Sequence, residues 1–352
     1  MLKKAAALFL VGTSLAMWVG CTTNSSLYLY ATIPASNQLV AFREDPNAGV
    51  LTVLAGSPIT AGPAVQSIVI HPSKKFLYTA NSGESDVSLF TISSNGALTE
   101  VTPRTIVGTA PTVLAMDSAG AFLYVANSGS NTISVFSVGS SGTLSAVGAP
   151  FPVGIAPLNV KVAPSGNFLY VTGAGTPLGY VEVFSLANGV ATFVQYVQPG
   201  SNPYGLAINP AGTFLYTANT GDNSISEYAI SASDGTLSQV TGSPIGETYS
   251  TPLSLLVDAS GKYLYVANEG SNNLAGYAIG SDGGLTLLAN SPFGTSAQPS
   301  FVTGDAAGNY LFVGNQKGGS IQSFSLDGST GTLTSVATYS VGNTPTSIAV
   351  TP

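Results

Sequence analysis

Charge, histidine and cysteine are all scarce in this 352-residue chain, and each scarcity removes a class of function. Charged residues make up only 7% of it, where an average globular protein has roughly a quarter. The surface is therefore covered mainly by Ser, Thr, Asn and Gly. Arg43 and Arg104 are the only arginines, and 16 Asp and Glu against 9 Lys and Arg give a net charge of -7. Binding to nucleic acid needs clustered cations for the phosphates, so no nucleic-acid partner is expected. His71 is the only histidine and no Gly-x-Ser-x-Gly elbow occurs, which excludes a Ser-His-Asp hydrolase of the usual design. Cys21 is the only cysteine, so the chain has no internal disulfide and no His- or Cys-based metal site, and no cofactor is expected. Helical periodicity is missing from the body of the chain as well.

What is present begins with an export signal. Lys3 and Lys4 precede an apolar stretch from Ala5 to Met17, and small residues lead to Cys21. That stretch is short for a membrane helix, which needs about 20 residues. The segment Trp18-Val19-Gly20-Cys21 resembles a bacterial lipoprotein signal, in which the cysteine is lipidated and becomes the first residue. Secretion after ordinary cleavage and an uncleaved anchor are the alternatives. On the lipoprotein reading, residues 1–20 are a signal peptide, 21–26 a polar tether and 27–352 the folded body. The expected location is the bacterial cell envelope, lipid-anchored on the outer membrane or facing the periplasm.

The body is repetitive. Aromatic residues at Tyr30, Tyr78, Tyr124, Tyr170, Tyr216, Tyr265 and Phe312 recur every 46 to 49 residues. About ten residues further on, a second alternating run carries Phe42, Phe90, Phe136, Phe184, Tyr228, Tyr277 and Phe324. A Gly-x-Leu run follows from Gly49, Gly96, Gly142, Gly189, Gly235, Gly283 and Gly331. Pro63, Pro111, Pro157, Pro203, Pro252, Pro299 and Pro345 then each open a further apolar run. Period-2 alternation bounded by Gly, Pro and Asn predicts four antiparallel strands per repeat. The first repeat lacks an opening strand and the last proline run, 346–350, has nothing after it. Joining the two ends gives an all-β, seven-bladed β-propeller of four-stranded blades, closed by its own C-terminal strand.

Phe122-Leu123-Tyr124-Val125-Ala126-Asn127 and Tyr263-Leu264-Tyr265-Val266-Ala267-Asn268 resemble the repeats of the lactonase-type, YVTN-repeat seven-bladed propellers, which include 6-phosphogluconolactonase-like enzymes. The resemblance covers the chain from Leu27 to Pro352. It implies a possible sugar-lactone hydrolase, a carboxylic ester hydrolase, whose substrate site lies at the mouth of the central channel.

Repetition also sorts candidate residues, because a single central site needs different groups from different blades. Asn81, Asn127, Asn219, Asn268 and Asn315 recur and are expected to satisfy backbone groups. His71 stands where other repeats place Asp117, Asn209, Asp258 and Asp305, so a turn cap is expected there. Departures from the repeat are more informative. Lys161 interrupts an inner strand where other repeats have Val69, Ala115, Ala207, Leu256, Thr303 or Ala349. It is expected either to face the channel and hold an anion or to snorkel to solvent. Arg104, Tyr204, Glu247, Tyr249 and Lys317 are further ligand-binding candidates near the mouth. No catalytic residue can be assigned. With so few cations and a neutral polar surface, the function expected from the sequence is binding of a protein or glycan partner by an envelope-anchored monomer. Lactone hydrolysis is the alternative.

Overall fold

The computed structural model describes residues 27–175, 179–246 and 248–352. Cys21, the signal and tether at 1–26, and Glu247 lie outside the described residues. Seven antiparallel sheets form the ring. Blade 2 shows the plan from the centre outward: Val65–Ile70, Phe76–Asn81, Asp86–Ile92 and Leu98–Ile106. Blades 3 to 7 repeat it from inner strands Pro111–Met116, Ala156–Val162, Pro203–Ile208, Pro252–Val257 and Pro299–Gly304. Blade 1 is composite: Leu27–Ile33, Gln38–Glu44 and Leu51–Val53 come from the start of the body, and Ile348–Val350 supplies the inner strand. Leu29, Tyr30 and Ala31 pair with Val350, Ala349 and Ile348, so the C-terminal strand closes the ring as expected.

Three details differ from the sequence reading. The residue equivalent to Pro111 in blade 2 is Val65, opposite Asn81, and Pro63 lies two residues before it. Among the described residues a single 3-10 turn, Pro34–Ser36, occurs, joining the second and third strands of blade 1. In blades 1, 3, 5 and 6 the outer strand is broken in two, with a short second piece such as Ile59–Thr60 returning to the third strand. Pro58, Pro150, Pro244 and Pro292 stand in the four breaks. Proline has no N–H to donate to a ladder, and Pro103 in blade 2 accompanies a register shift rather than a break.

The recurring aromatics hold blade to blade. Tyr30, Tyr78, Tyr124, Tyr170, Tyr216, Tyr265 and Phe312 are buried. Hydroxyls of Tyr30, Tyr78, Tyr170, Tyr216 and Tyr265 each donate to a turn glycine carbonyl of the next blade, at Gly96, Gly142, Gly235, Gly283 and Gly331, over 2.7–3.0 Å. Those glycines leave room for an aromatic ring of the preceding blade. A Cβ on Gly142, whose φ is +82°, would come within 2.6 Å of the Phe76 ring. The last interface uses the same parts: Leu29, Ile33, Phe42 and Leu51 of blade 1 pack with Tyr310, Phe312 and Ile321 of blade 7. Among the described residues no helix is long and apolar enough to cross a membrane.

Candidate functional site in the central channel

The seven inner strands surround a cavity of about 490 Å³. Its wall is built in tiers, fixed by pairing of each inner strand with the second strand of its blade. Val69, Ala115, Lys161, Ala207, Leu256, Thr303 and Ala349 lie opposite the seven recurring aromatics, so these positions are equivalent. One tier nearer the mouth come Ser67, Val113, Asn159, Gly205, Ser254, Phe301 and Ser347, all lining the cavity except Gly205. Ser67 Oγ accepts the Leu114 amide of the next blade at 3.2 Å and Ser254 Oγ accepts that of Val302 at 3.3 Å. Each hydroxyl hydrogen is left for another acceptor.

The mouth itself is made by β-bulges. In blades 2 to 7 the register shifts just after the strand opens. The extra residue re-aims a side chain. The residues there, Gln66, Thr112, Leu158, Tyr204, Leu253 and Ser300, all line the cavity, as does Thr346 in blade 1. Pairing register is invisible in single-strand patterning, so of this set the sequence pointed only to Tyr204.

Lys161 is the only charged side chain among the described lining residues. Its side chain is exposed to the lumen, and the surrounding channel wall lowers its pKa below the ordinary lysine value through lost solvation. It has no hydrogen-bond or ion-pair partner among the described residues. Asn159 precedes it by two positions on the same face of the strand and lines the same cavity.

The other candidates are dispersed. Arg104 lies on the outer strand of blade 2, bound to Glu100 at 2.7 Å and Glu84 at 2.9 Å, with Asp86 3.9 Å away. Tyr249 packs against the core shared by blades 5 and 6. Lys317 is exposed on the loop after the second strand of blade 7, where its neighbour Gln316 reaches the cavity. Thus Lys161 and Tyr204 share one cavity, while Arg104, Tyr249 and Lys317 are not part of its lining. His71 caps its turn through Ser73, and its Nε2 lies 3.0 Å from the Gly120 carbonyl of the next blade. Asn81 and Asn219 donate to Ser88 and Ser226 in buried networks, each at 2.9 Å. Among the described residues, no group of three or more His, Cys, Asp or Glu gathers around a metal-sized site.

With its ring, its bulged mouth and its channel, the chain matches the family model "Lactonase, 7-bladed beta-propeller" over residues 21–158, 155–251 and 245–350. It belongs to that family. Solved structures share the fold at low identity. A candidate 6-phosphogluconolactonase of Bacteroides fragilis is 22% identical, with a TM-score of 0.80 over 94% of this chain and 99% of that one. A periplasmic gluconolactonase of Pseudomonas aeruginosa is 19% identical, with a TM-score of 0.77 over 93% and 99%. Hydrazine synthase of Kuenenia stuttgartiensis is 17% identical, with a TM-score of 0.66 over 85% and 95%. No curated protein matches the sequence.

Proposed function

We propose that the channel binds an unphosphorylated sugar-type lactone and opens its ring, with Lys161 as general base. The observation that carries this reading is the solitary, unpaired lysine that opens into an otherwise uncharged cavity. Desolvation favours the free amine, the form that takes up a proton. In the proposed step water adds to the lactone carbonyl and gives a proton to Lys161 Nζ. Collapse of the adduct breaks the ring C–O bond, and the Lys161 ammonium returns the proton to the departing alkoxide. The product is the open hydroxy acid. Hydroxyls such as Ser67 and Ser254, with Asn159, are placed to bind the polar substrate and its developing oxyanion. A phosphoryl group calls for several cationic donors, and the described lining offers one, which argues for an unphosphorylated substrate. Membership of the lactonase family and the activity named for the Pseudomonas neighbour support the choice of substrate class.

Purified protein should hydrolyse gluconolactone in preference to its 6-phosphate. Lys161→Ala should lower kcat/KM by about a hundredfold or more, the usual contribution of a general base. Wild-type turnover in that variant would contradict the assignment. Capture of a protein or glycan partner is a second reading. Val190, Phe193 and Tyr196, exposed on the uncharged outer strand of blade 4, favour it. A protein inert toward both lactones would shift weight to it. For either activity we infer a lipid anchor at Cys21 in the cell envelope. Cys21→Ala should move the protein from the membrane fraction to the soluble one, and unchanged membrane association would refute the anchor.

A further inference from the structure

Six blades place an aliphatic residue two positions after the third-strand aromatic: Ile92, Val138, Leu186, Ile230, Ile279 and Leu326. Blade 1 places Glu44 there. Its side chain is buried at 2% exposure, and neither carboxyl oxygen has a partner among the described residues. Asp305, in the first turn of blade 7, is buried at 4%. Its Oδ1 accepts the amides of Asn309 and Tyr310 at 2.8 and 2.9 Å, but Oδ2 is unpartnered. In the equivalent turn of blade 6, Asp258 Oδ2 accepts the amide and hydroxyl of Ser260. Blade 7 has Ala307 at that position and offers no such donor. Glu44 pairs with Leu51, Leu51 packs with Tyr310 of blade 7, and the Tyr310 amide donates to Asp305, so the two carboxyl groups belong to the interface where the N-terminal strands of the ring meet blade 7, with three buried oxygens lacking a donor.

A buried carboxylate without a donor or counterion is costly. All ion pairs among the described residues belong to Arg104, so no cation faces this pair. A protonated carboxyl, in contrast, supplies the missing donor. We propose that Glu44 and Asp305 share one proton across the blade 7–blade 1 interface, Glu44 donating to Asp305, and that this proton fastens the closed ring.

The local electrostatics agree. Burial first, then Asp305 from blade 7 and Asp45 from its own turn, raise the Glu44 pKa to about 8. Tyr310 of blade 7 is the remaining titratable group that senses these carboxylates, and its phenol pKa is raised by burial and by Asp305, Asp45 and Glu44. A raised carboxyl pKa means that the folded chain keeps a proton which the unfolded chain releases. The stabilisation is therefore complete below the ordinary carboxyl value of 4.5, declines as pH rises, and is gone above about 8. Glu227, raised to about 7 by burial, has the same sign, so the test must isolate Glu44.

Thermal unfolding of the full body from pH 5 to 9 would be compared for wild type, Glu44→Gln and Glu44→Leu. Glutamine keeps a donor at every pH, and leucine restores the side chain of Leu186 and Leu326. The wild-type Tm should fall by several degrees relative to both variants as pH rises through about 8. The infrared difference spectrum, wild type minus Glu44→Gln at pH 7, should also contain a protonated-carboxyl band, since the contribution of Glu227 is common to both proteins and cancels. Parallel Tm curves, the absence of that band, or stabilisation by added calcium that Glu44→Gln abolishes would each overturn the proposal.

Discussion

A residue in this protein acquires meaning by comparison with its six counterparts. Tyr78 illustrates the repeated kind: its hydroxyl reaches the Gly142 carbonyl of the next blade at 2.7 Å. Tyr78→Phe would leave that buried carbonyl unpaired and should cost about 1–3 kcal/mol in denaturant unfolding. Gly142→Ala should cost more than Tyr78→Phe, because the added methyl meets Phe76 and the backbone is already at positive φ. Equal stability of Gly142→Ala and wild type would mean that the blades are not held by this contact. Lys161 is the opposite kind, a departure at one position of a repeated tier, and it could be picked out in the sequence for that reason. Glu44 carries the same kind of signal, as the one acid against six aliphatic counterparts. Arg104 is engaged by three carboxylates, and the contacts with Glu84 and Asp86 join positions that a linear reading does not bring together.

At the scale of the element, strand identity and order followed from period-2 patterning, while register did not. The bulge that opens inner strands moves Gln66, Thr112, Leu158 and their equivalents into the mouth. Nothing in the alternation of side chains announces such an insertion. Pro58, Pro150, Pro244 and Pro292 stand in the broken outer strands of blades 1, 3, 5 and 6, but Pro103 lies inside the unbroken outer strand of blade 2, so proline alone does not foretell the break. Their counterpart in blade 4, Val190–Val197, has no proline and no charge, and it presents Phe193 and Tyr196 outward. Long uncharged edges are normally protected against pairing.

For the molecule as a whole, closure is the dominant feature. The inner strand Ile348–Val350 pairs with Leu29–Ala31, and Thr351 Oγ1 accepts the Tyr28 amide at 3.0 Å. Deleting the chain from Pro345 onward should expose the inner edge of blade 1 and greatly lower the unfolding midpoint, with earlier hydrogen exchange in 27–44. A truncated protein as stable as the intact one would show that the ring does not depend on this strand.

The fold and its closure were legible because repetition states the same pattern seven times; the chemistry was not, because a central site is written once. The central claim is that Lys161 performs that chemistry, and the pH dependence of kcat/KM for gluconolactone tests it most directly. After subtraction of the uncatalysed rate, the wild-type curve should rise as Lys161 loses its proton, with a midpoint below the ordinary lysine value of 10.5, and the rise should vanish in Lys161→Ala. An unchanged rate and profile in that variant would contradict the account.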